Sequence, residues 1–276
     1  MNRRSILSGL ALLIALSPSS WAVEPVVPQI FQSDGRDLVA VKRRLAVGDA
    51  TLTAAVADLR KRADEELKAE PLTIVNKPLA PPSGDKHDYV SMAPYFWPDP
   101  SKRDGLPYIR RDGQVNPERN KYDRPLLGKM SQAVGTLGLA YYLTGDERYA
   151  SHVANLLHVW FLNAATRMNP NLNYAQFIRG VNDGRGIGII DSVSLLQVVD
   201  GIGMIDQSSA WTDADRAVMK AWFRDYLQWL RTSKNGKEEA AAANNHGSWY
   251  DVQVATFALF VGEDDESVKK LLEEAK

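Results

Sequence analysis

Apolar residues recur at helical spacing through most of the chain. Residues 37–47 and 51–70 carry leucines and valines three or four positions apart, which predicts two helices. The pair Gly48-Asp49 joins them by a short turn, and Pro71 ends the second helix, as in a helical hairpin. The same spacing predicts later helices over residues 125–144, 147–160, 189–202 and 213–230, and a last one from Asp265.

The arrangement of these segments predicts an all-α fold. No strand-like alternation of apolar and polar residues is found along the chain. Helix pairs joined by short turns, with long polar loops at intervals, favour a solenoid or toroid over a bundle, because so many helices cannot share one core. No internal sequence repeat indicates a regular solenoid.

Residues 72–124 interrupt the helical pattern with many prolines and no sustained periodicity. A loop of this length in a compact domain is more often a lid or a binding loop than a connection. It contains a rigid aromatic block with Tyr95 and Trp97, whose faces can stack on sugar rings. Basic residues that can pair with carboxylates follow: Lys102, Arg103, Arg110, Arg111, Arg119, Lys121 and Arg124. The alternative is a solvated loop that Tyr95 and Trp97 pin to the core.

A second polar loop, residues 166–180, is rich in Asn, Arg and Gln. We expect it to form another wall of a binding site, with substrate-binding candidates Arg167, Tyr174, Gln176 and Arg179. An Asn/Pro-rich turn cluster with solvated arginines is the alternative interpretation. The glycine-rich residues 182–188 do not form a phosphate loop, since no strand precedes them and the glycine spacing is wrong.

Candidate chemistry concentrates in residues 239–250, where an alanine run is followed by Asn244, Asn245, His246, Trp249 and Tyr250. Side chains four apart share a helix face, so His246 and Tyr250 are predicted to form a proton-transfer pair. Amides beside them can stabilise a carboxylate as negative charge develops on it. No metal-ligand spacing is found nearby. The alternative is that the asparagines cap a helix while the imidazole and the phenol are hydrogen-bonded core groups.

The first 22 residues predict a secretory signal peptide. Two arginines precede an apolar run from Ile6 to Leu16, and Ala22 offers a cleavage site. That run is too short to span a membrane. We therefore expect a periplasmic or secreted protein whose mature domain covers residues 23–276. The general export route is favoured, and the pair Arg3-Arg4 leaves a twin-arginine route open.

Composition narrows the chemistry further. The 276 residues include no cysteine, which excludes disulfides, thiol catalysis and cysteine-ligated metals. Loss of Arg3 and Arg4 with the signal leaves a small excess of acidic residues, so bulk charge would not recruit a polyanion. We expect no nucleic-acid partner, and any acidic polysaccharide must bind at a local basic patch.

Three motifs resemble the alginate lyase superfamily of polysaccharide lyases: Ala-Pro-Tyr-Phe-Trp-Pro-Asp-Pro at 93–100, Thr-Arg-Met-Asn-Pro-Asn-Leu-Asn-Tyr-Ala-Gln at 166–176, and Asn-Asn-His at 244–246. The resemblance spans nearly all of residues 23–276 and is closest to the branch acting on alginate or glucuronan. It implies an incomplete (α/α) toroid with a cleft. It also implies β-elimination on a 1,4-linked uronic acid polymer without a cofactor.

The resemblance also implies roles for individual residues. Asn245, with Asn244 behind it, would bind the uronate carboxylate, and His246 would neutralise charge or act as the base. In the family, the tyrosine credited with acid or acid-base work lies beyond the Asn-Asn-His block by more residues than this chain contains. Either Tyr250 or a loop tyrosine replaces it, or the chain is the N-terminal part of a longer enzyme, which we expect.

Two other function classes stay open from the sequence. A glycoside hydrolase would need two carboxylates on opposite sides of the scissile bond, for which Asp99, Asp104, Asp112 and Glu118 are candidates without a telling motif. A non-catalytic binding protein for uronate polymers would keep the arginines and aromatics. If the chain is truncated, the apolar stripe of the last helix, Val268, Leu271 and Leu272, is expected to be open to water.

Overall fold

The computed structural model describes residues 25–274, so the predicted signal peptide lies outside the described residues. Nine α-helices form within that range: α1 (Gly35–Ala46), α2 (Ala50–Glu66), α3 (Arg124–Thr144), α4 (Glu147–Leu157), α5 (Leu195–Met204), α6 (Asp213–Thr232), α7 (Lys234–Ala240), α8 (Asn245–Val261) and α9 (Asp265–Glu274). Short 3-10 helices cover Ile74–Asn76, Pro117–Lys121 and Gly186–Ser194, and a π-helical turn covers His158–Leu162.

Local sequence signals account for several helix ends. Gly145 ends α3 in the left-handed conformation, at φ 70°, which glycine adopts without strain. Asp146 begins α4 by accepting a hydrogen bond from the Arg148 backbone. Thr212 and Asp215 form a reciprocal capping box at the start of α6. The predicted helices in these three places are confirmed.

Short strands accompany the helices of the predicted all-α fold. The described residues contain four short strands: β1 (Val90–Met92), β2 (Phe96–Trp97), β3 (Ile109–Arg110) and β4 (Tyr174–Phe177). β1 pairs with β4 in parallel, and β2 pairs with β3 in antiparallel. Strands of two to four residues are too short to show an alternating pattern, and β1 and β4 come from distant loops. The β1–β4 pair joins the two long polar loops to one another, whereas β2 and β3 both lie in the first loop.

Two helix predictions also need correction. The segment predicted as one helix over residues 189–202 is a 3-10 helix (Gly186–Ser194) followed by α5. The sequence Lys234-Asn235-Gly236 after the helix predicted over 213–230 is typical of a turn. It is instead the first turn of α7, which Ser233 caps by accepting a hydrogen bond from the Gly236 backbone. A helix of seven residues is too short for apolar periodicity to reveal it.

The helices form an incomplete (α/α) toroid, as predicted. α3 packs against α2, α4 and α5, and α6 packs against α8. Met219, Trp222 and Tyr226 of the predicted α6 stripe are buried in the main core. The segment Gly186–Met204 is apolar and long enough to cross a membrane, but 61% of its apolar window is buried inside the protein, as in the core helix of a globular protein.

Part of the expectation for the last helix is wrong. Val268 is 5% exposed and belongs to the main core, where α9 packs on α8. The predicted exposure of Leu271 and Leu272 lies outside the described side chains. α9 therefore buries at least one apolar side chain within the residues described.

A buried ion pair fixes the long first loop to the start of α3. Lys77 lies 2.5 Å from Asp123, and their side chains are 3% and 1% exposed. Lys77 also donates to the Asp88 carbonyl, and Asp123 accepts from the Val90 backbone at 2.8 Å. Burial lowers the pKa of Lys77 and raises the pKa of Asp123. The pair holds β1 beside the N-terminus of α3, where Arg124 enters the helix.

We expect Lys77→Met to lower the free energy of unfolding by about 3–5 kcal/mol, because it leaves Asp123 buried without a cation. Denaturant unfolding of both proteins measures the difference. Lys61→Met is the matched control, since its ion pair with Asp58 is exposed, and it should change stability by less than about 1 kcal/mol. Equal losses in the two variants would contradict a special role for the buried pair.

Candidate active site

The junction of α7 and α8 positions His246. Asn244 caps α8, and its side-chain oxygen accepts a hydrogen bond from the His246 backbone at 2.9 Å. The His246 Nδ1 lies 2.7 Å from Oε1 of Glu239, which is 3% exposed at the end of α7. An ionised Glu239 requires the proton on Nδ1. Nε2, which has no hydrogen-bond partner among residues 25–274, is then left for a ligand.

A glycine allows this tight junction. A Cβ on Gly247 would lie 2.1 Å from the Ala242 carbonyl oxygen, well inside van der Waals contact. Any larger residue would therefore displace the chain that connects α7 to α8. The alanine run before Asn244 and the glycine after His246 together set the distance between the imidazole and Glu239.

The two asparagines have different surroundings. The capping interpretation is confirmed for Asn244, whose oxygen binds the His246 backbone. Asn245 is the first residue of α8 and is exposed. Its amide is therefore accessible to a ligand beside His246. The first turn of a helix also favours negative charge, which suits a carboxylate at this position.

The structure does not bring Tyr250 and His246 together as a proton-transfer pair. Tyr250 is 7% exposed, and its hydroxyl donates to the Leu230 carbonyl at 3.0 Å. Burial raises the pKa of the phenol. The two residues are four apart on α8, but the imidazole contacts α7 while the phenol reaches α6. Trp249 is 40% exposed at the same end of the helix.

Asp191 is the centre of a second polar group. Its buried carboxylate accepts from Tyr89 at 3.1 Å and from Ser91 at 2.5 Å through Oδ2. Oδ1 accepts from Gln176 at 3.1 Å and lies 3.1 Å from Nε of Arg124. Asp191 is not among the predicted site residues, although a single charge inside an apolar segment is a signal of a buried functional or structural group.

Gln176 holds Arg185 in this group. The Gln176 carbonyl accepts from Nε of Arg185, and its side-chain oxygen accepts from NH2, both at 3.0 Å. The guanidinium also lies 5.4 Å from the ring centre of Phe96. Burial lowers the pKa of Arg185, and the like charge of Arg110 lowers it further. Arg185 is not among the predicted site residues, because the glycine-rich residues 182–188 around it were considered only as a phosphate loop.

Arg119 adds to the positive charge. Burial lowers its pKa first, and the neighbouring charge of Arg124 lowers it further. Its Nε is buried and has no hydrogen-bond partner among the described residues. Tyr95, which is 38% exposed, lies close enough to act on the same pKa. The sequence analysis placed Arg119 and Arg124 in a basic run but did not assign them to the site.

Glu239 connects the two groups. The positive charge of Arg185 lowers the pKa of Glu239, so these side chains are electrostatic neighbours. Burial has the larger effect and raises the pKa of Glu239 above its usual range. The resulting candidate site, called the polar surface below, is a set of polar residues from four parts of the chain that hydrogen bonds, ion pairs and charge interactions connect: Arg119, Arg124, Gln176, Arg185, Asp191, Glu239, Asn245 and His246.

Arg179 faces a different cavity. Its NH2 lies 2.7 Å from Glu118 and from the Tyr122 hydroxyl, and the guanidinium lies 5.9 Å from the Tyr108 ring centre. The cavity has a volume of about 620 Å³ and is lined by Arg179, Phe177 and the prolines at 81 and 82. Arg179 is therefore already paired with a carboxylate, and its contacts do not join it to His246.

The remaining predicted binding residues lie on the loops. Arg167 is exposed, and its carbonyl contacts His87 Nδ1 at 2.6 Å. Tyr174 packs against the small apolar cluster of β1 and β4. Trp97 donates to the Gln114 carbonyl at 2.9 Å. Arg110 pairs with Asp112 at 3.0 Å and influences Arg185. Of these four residues, only Arg110 is connected to the polar surface by an interaction.

Metal ligation has no candidate within residues 25–274, where no group of three or more His, Asp or Glu side chains is placed to hold an ion.

The raised pKa of Glu239 predicts a pH-dependent difference in stability. The folded protein binds the Glu239 proton more tightly than the unfolded chain, so protonation of Glu239 stabilises the fold. This stabilisation is complete below about pH 4.3 and is lost as pH rises through the pKa of Glu239 in the folded protein. Glu239→Gln cannot ionise. We therefore expect the Tm of the parent protein, relative to Glu239→Gln, to fall as pH rises from about 4 to 7.

Thermal melts at several pH values measure this difference. His246 and Arg185 are the neighbours that act on the pKa of the replaced side chain. The control is Glu65→Gln, because Glu65 is exposed and paired only with Lys68. A Tm difference between parent and Glu239→Gln that is constant across this pH range would show that Glu239 does not keep a raised pKa.

Comparisons with known proteins place the chain in a family. The sequence model described as alginate lyase matches residues 73–275. A crystal structure of an alginate lyase from Bacteroides ovatus is 45% identical in sequence, with a TM-score of 0.86. The match covers 90% of this chain and 65% of that chain, so this chain spans less than two thirds of its length. No curated protein matches. The chain belongs to the alginate lyase family.

Proposed function

We propose that this protein is a polysaccharide lyase that cleaves a 1,4-linked uronic acid polymer, alginate or glucuronan, by β-elimination. The observation that carries the proposal is the His246–Glu239 pair, whose contact at 2.7 Å leaves Nε2 free beside the exposed amide of Asn245. Family membership supports the reaction class. The polymer class is supported by the cluster of arginines beside this pair.

The proposed reaction starts with the carboxylate of the uronate. The C5 proton next to it becomes acidic enough to remove only when the carboxylate charge is offset, because the intermediate resembles an enolate. The amide of Asn245 and the start of α8 offer donors to that carboxylate. Positive charge comes from the arginine cluster.

His246 is proposed as the base. Nε2 takes the C5 proton, the C–H electron pair forms the C4–C5 double bond, and the bond from C4 to the glycosidic oxygen breaks. Glu239 lies at Nδ1 and stabilises the imidazolium that results. The leaving O4 requires a proton. Among the described tyrosines near the site, exposed Tyr95 is the candidate donor, because the Tyr250 hydroxyl is already committed to a backbone carbonyl.

The carboxylates do not favour a glycoside hydrolase. Such an enzyme needs one carboxylic acid and one carboxylate free to act on the scissile bond. Glu239 contacts His246, and Asp191 accepts hydrogen bonds from three residues and forms an ion pair with Arg124. Asp112 pairs with Arg110, and Glu118 pairs with Arg179. An acidic polysaccharide substrate is therefore proposed, with no nucleic-acid partner and no cofactor.

Location follows from the same proposal. A polymer of this kind is met outside the cytoplasm, and residues 1–22 carry the charged, apolar and small-residue order of an export signal. We propose a periplasmic or secreted enzyme.

The test is a panel of uronic acid polymers incubated with the full-length protein, with the unsaturated product followed by ultraviolet absorbance. We expect His246→Ala to lower the rate by about 100-fold or more, the usual effect of removing one acid-base group. His158→Ala is the matched control and should retain the parent rate. His158 lies at the end of α4, where it pairs with Asp215 at 2.9 Å.

Two outcomes would refute this proposal. Cleavage without an unsaturated product would indicate a hydrolase, and tight binding of the polymer without cleavage would indicate a binding protein. Equal rates in the parent and in His246→Ala would assign the imidazole a structural role at the α7–α8 junction.

A further inference from the structure

Gln176 has a backbone conformation that its residue type rarely adopts. Its φ is 49°, the only positive value at a non-glycine residue within residues 25–274. A side chain with a Cβ is strained in this region, and such strain persists only where the surroundings hold it in place. Gln176 is 4% exposed, and its backbone N–H donates to Ser91 at 2.8 Å. The strain is therefore located beside the arginine cluster.

The strained residue bridges opposite charges. Its side-chain oxygen accepts from Arg185 at 3.0 Å, and its Nε2 donates to Asp191 at 3.1 Å. The amide of Gln176 accepts from the cation through its oxygen and donates to the anion through its nitrogen, which a carboxylate cannot do. A glutamate here would pair with Arg185 and repel Asp191. Both contacts therefore favour glutamine over glutamate at this position.

Arg185 differs from Arg110, Arg124 and Arg179 in its partners. Arg110 pairs with Asp112, Arg179 pairs with Glu118, and Arg124 pairs with Asp191. Both hydrogen bonds from Arg185 end on uncharged oxygens of Gln176. Its charge is thus held in place without a hydrogen-bonded carboxylate to cancel it.

The surroundings make that charge available to an anionic ligand. Burial lowers the pKa of Arg185, because desolvation disfavours the charged form of its guanidinium. The Phe96 ring, 5.4 Å away, restricts the plane of the guanidinium. Gln176 occupies Nε and one position on NH2, which leaves the other N–H groups of the fork for a planar acceptor such as a carboxylate.

Arg185 is also next to the proposed base. The backbone N–H of Gly186, the next residue, donates to Glu238 of α7 at 3.3 Å, and the adjacent Glu239 contacts His246 at 2.7 Å. The segment that carries Arg185 therefore lies against the helix that holds the imidazole.

We propose that Arg185 supplies the positive charge that neutralises the substrate carboxylate. Gln176 is the positioning residue, because it holds the guanidinium through uncharged oxygens and not through a carboxylate. Together they select a free uronate over its neutral ester. This inference rests on the proposed lyase function. A carboxylate needs its charge offset before the C5 proton can leave, whereas a methyl ester carries no charge to offset. Removal of the arginine should therefore lower kcat/KM far more for the acid than for the ester.

The experiment compares kcat/KM of the full-length protein on a uronate polymer and on the same polymer after methyl esterification. We expect Arg185→Gln to lower the value for the free acid by about 100-fold or more, the scale of one electrostatic group. The value for the ester should fall by less than about 10-fold. The preference for the acid should thus drop by roughly 10-fold or more.

Two further variants separate charge from position. Gln176→Glu keeps the size of the side chain but places a carboxylate against Arg185, so it should reduce the acid-to-ester preference in the same direction. Arg185→Lys keeps the charge but loses the paired contacts to Gln176, so it should lower both rates while retaining part of the preference. A merely structural role would lower both rates equally in all three variants.

Matched controls are Gln207→Glu, at an exposed position after α5, and Arg36→Gln, whose exposed pair with Asp34 lies in α1. Both should keep the parent preference. If the ester is not turned over, the preference is measured as the ratio of the binding affinities for acid and ester oligomers, in a His246→Ala background.

The inference and the proposed function fail in different ways. Absence of an unsaturated product from every uronate polymer would refute the lyase function, and this inference with it. An active enzyme in which Arg185→Gln lowers activity or affinity for acid and ester by the same factor would overturn the inference alone.

Discussion

A buried carboxylate has to be satisfied by hydrogen bonds, and Asp191 imposes that requirement on the rest of the structure. An ionised carboxyl group in the core is tolerated only when donors surround it. Tyr89 and Ser91 come from the first long loop, Gln176 from the second, and Arg124 from α3. The two loops also share a small apolar cluster built on Val90, Met92 and Tyr122. The donors of Asp191 hold them together, and the polar site lies where they meet.

The local rules of helix formation were visible in the sequence. The caps at Asp146 and Thr212 and the glycine after α3 follow from side-chain and backbone chemistry within four residues. The α7–α8 junction was also accessible in outline, because Asn244 and His246 are neighbours. The direction of the imidazole was not, since it depends on Glu239 at the end of a helix too short to be recognised.

The arginine cluster was beyond sequence reasoning for two physical reasons. The hydrogen bonds to Asp191 beside it join residues as many as 102 positions apart, and periodicity carries no information at that range. Its most local contact, Arg185 with Gln176, depends on a positive φ that glutamine rarely adopts. The sequence predicts basic and aromatic surfaces on both loops, but the structure places their arginines in two different environments. Arg179 is paired with Glu118 in a separate cavity, whereas Arg185 is held by uncharged oxygens.

The parallel pairing of β1 with β4 has a consequence for the order of folding. Bringing two distant strands together costs chain entropy before their contacts can stabilise the structure. Local helical hairpins therefore form more readily than the β1–β4 pair. Ser91 contacts the Gln176 backbone across 85 positions and Asp191 across 100. The arginines should therefore remain dispersed until β4 reaches β1. During synthesis, the affinity of the protein for an anion would arise in a late step, after both loops and the segment that carries Asp191 have been made.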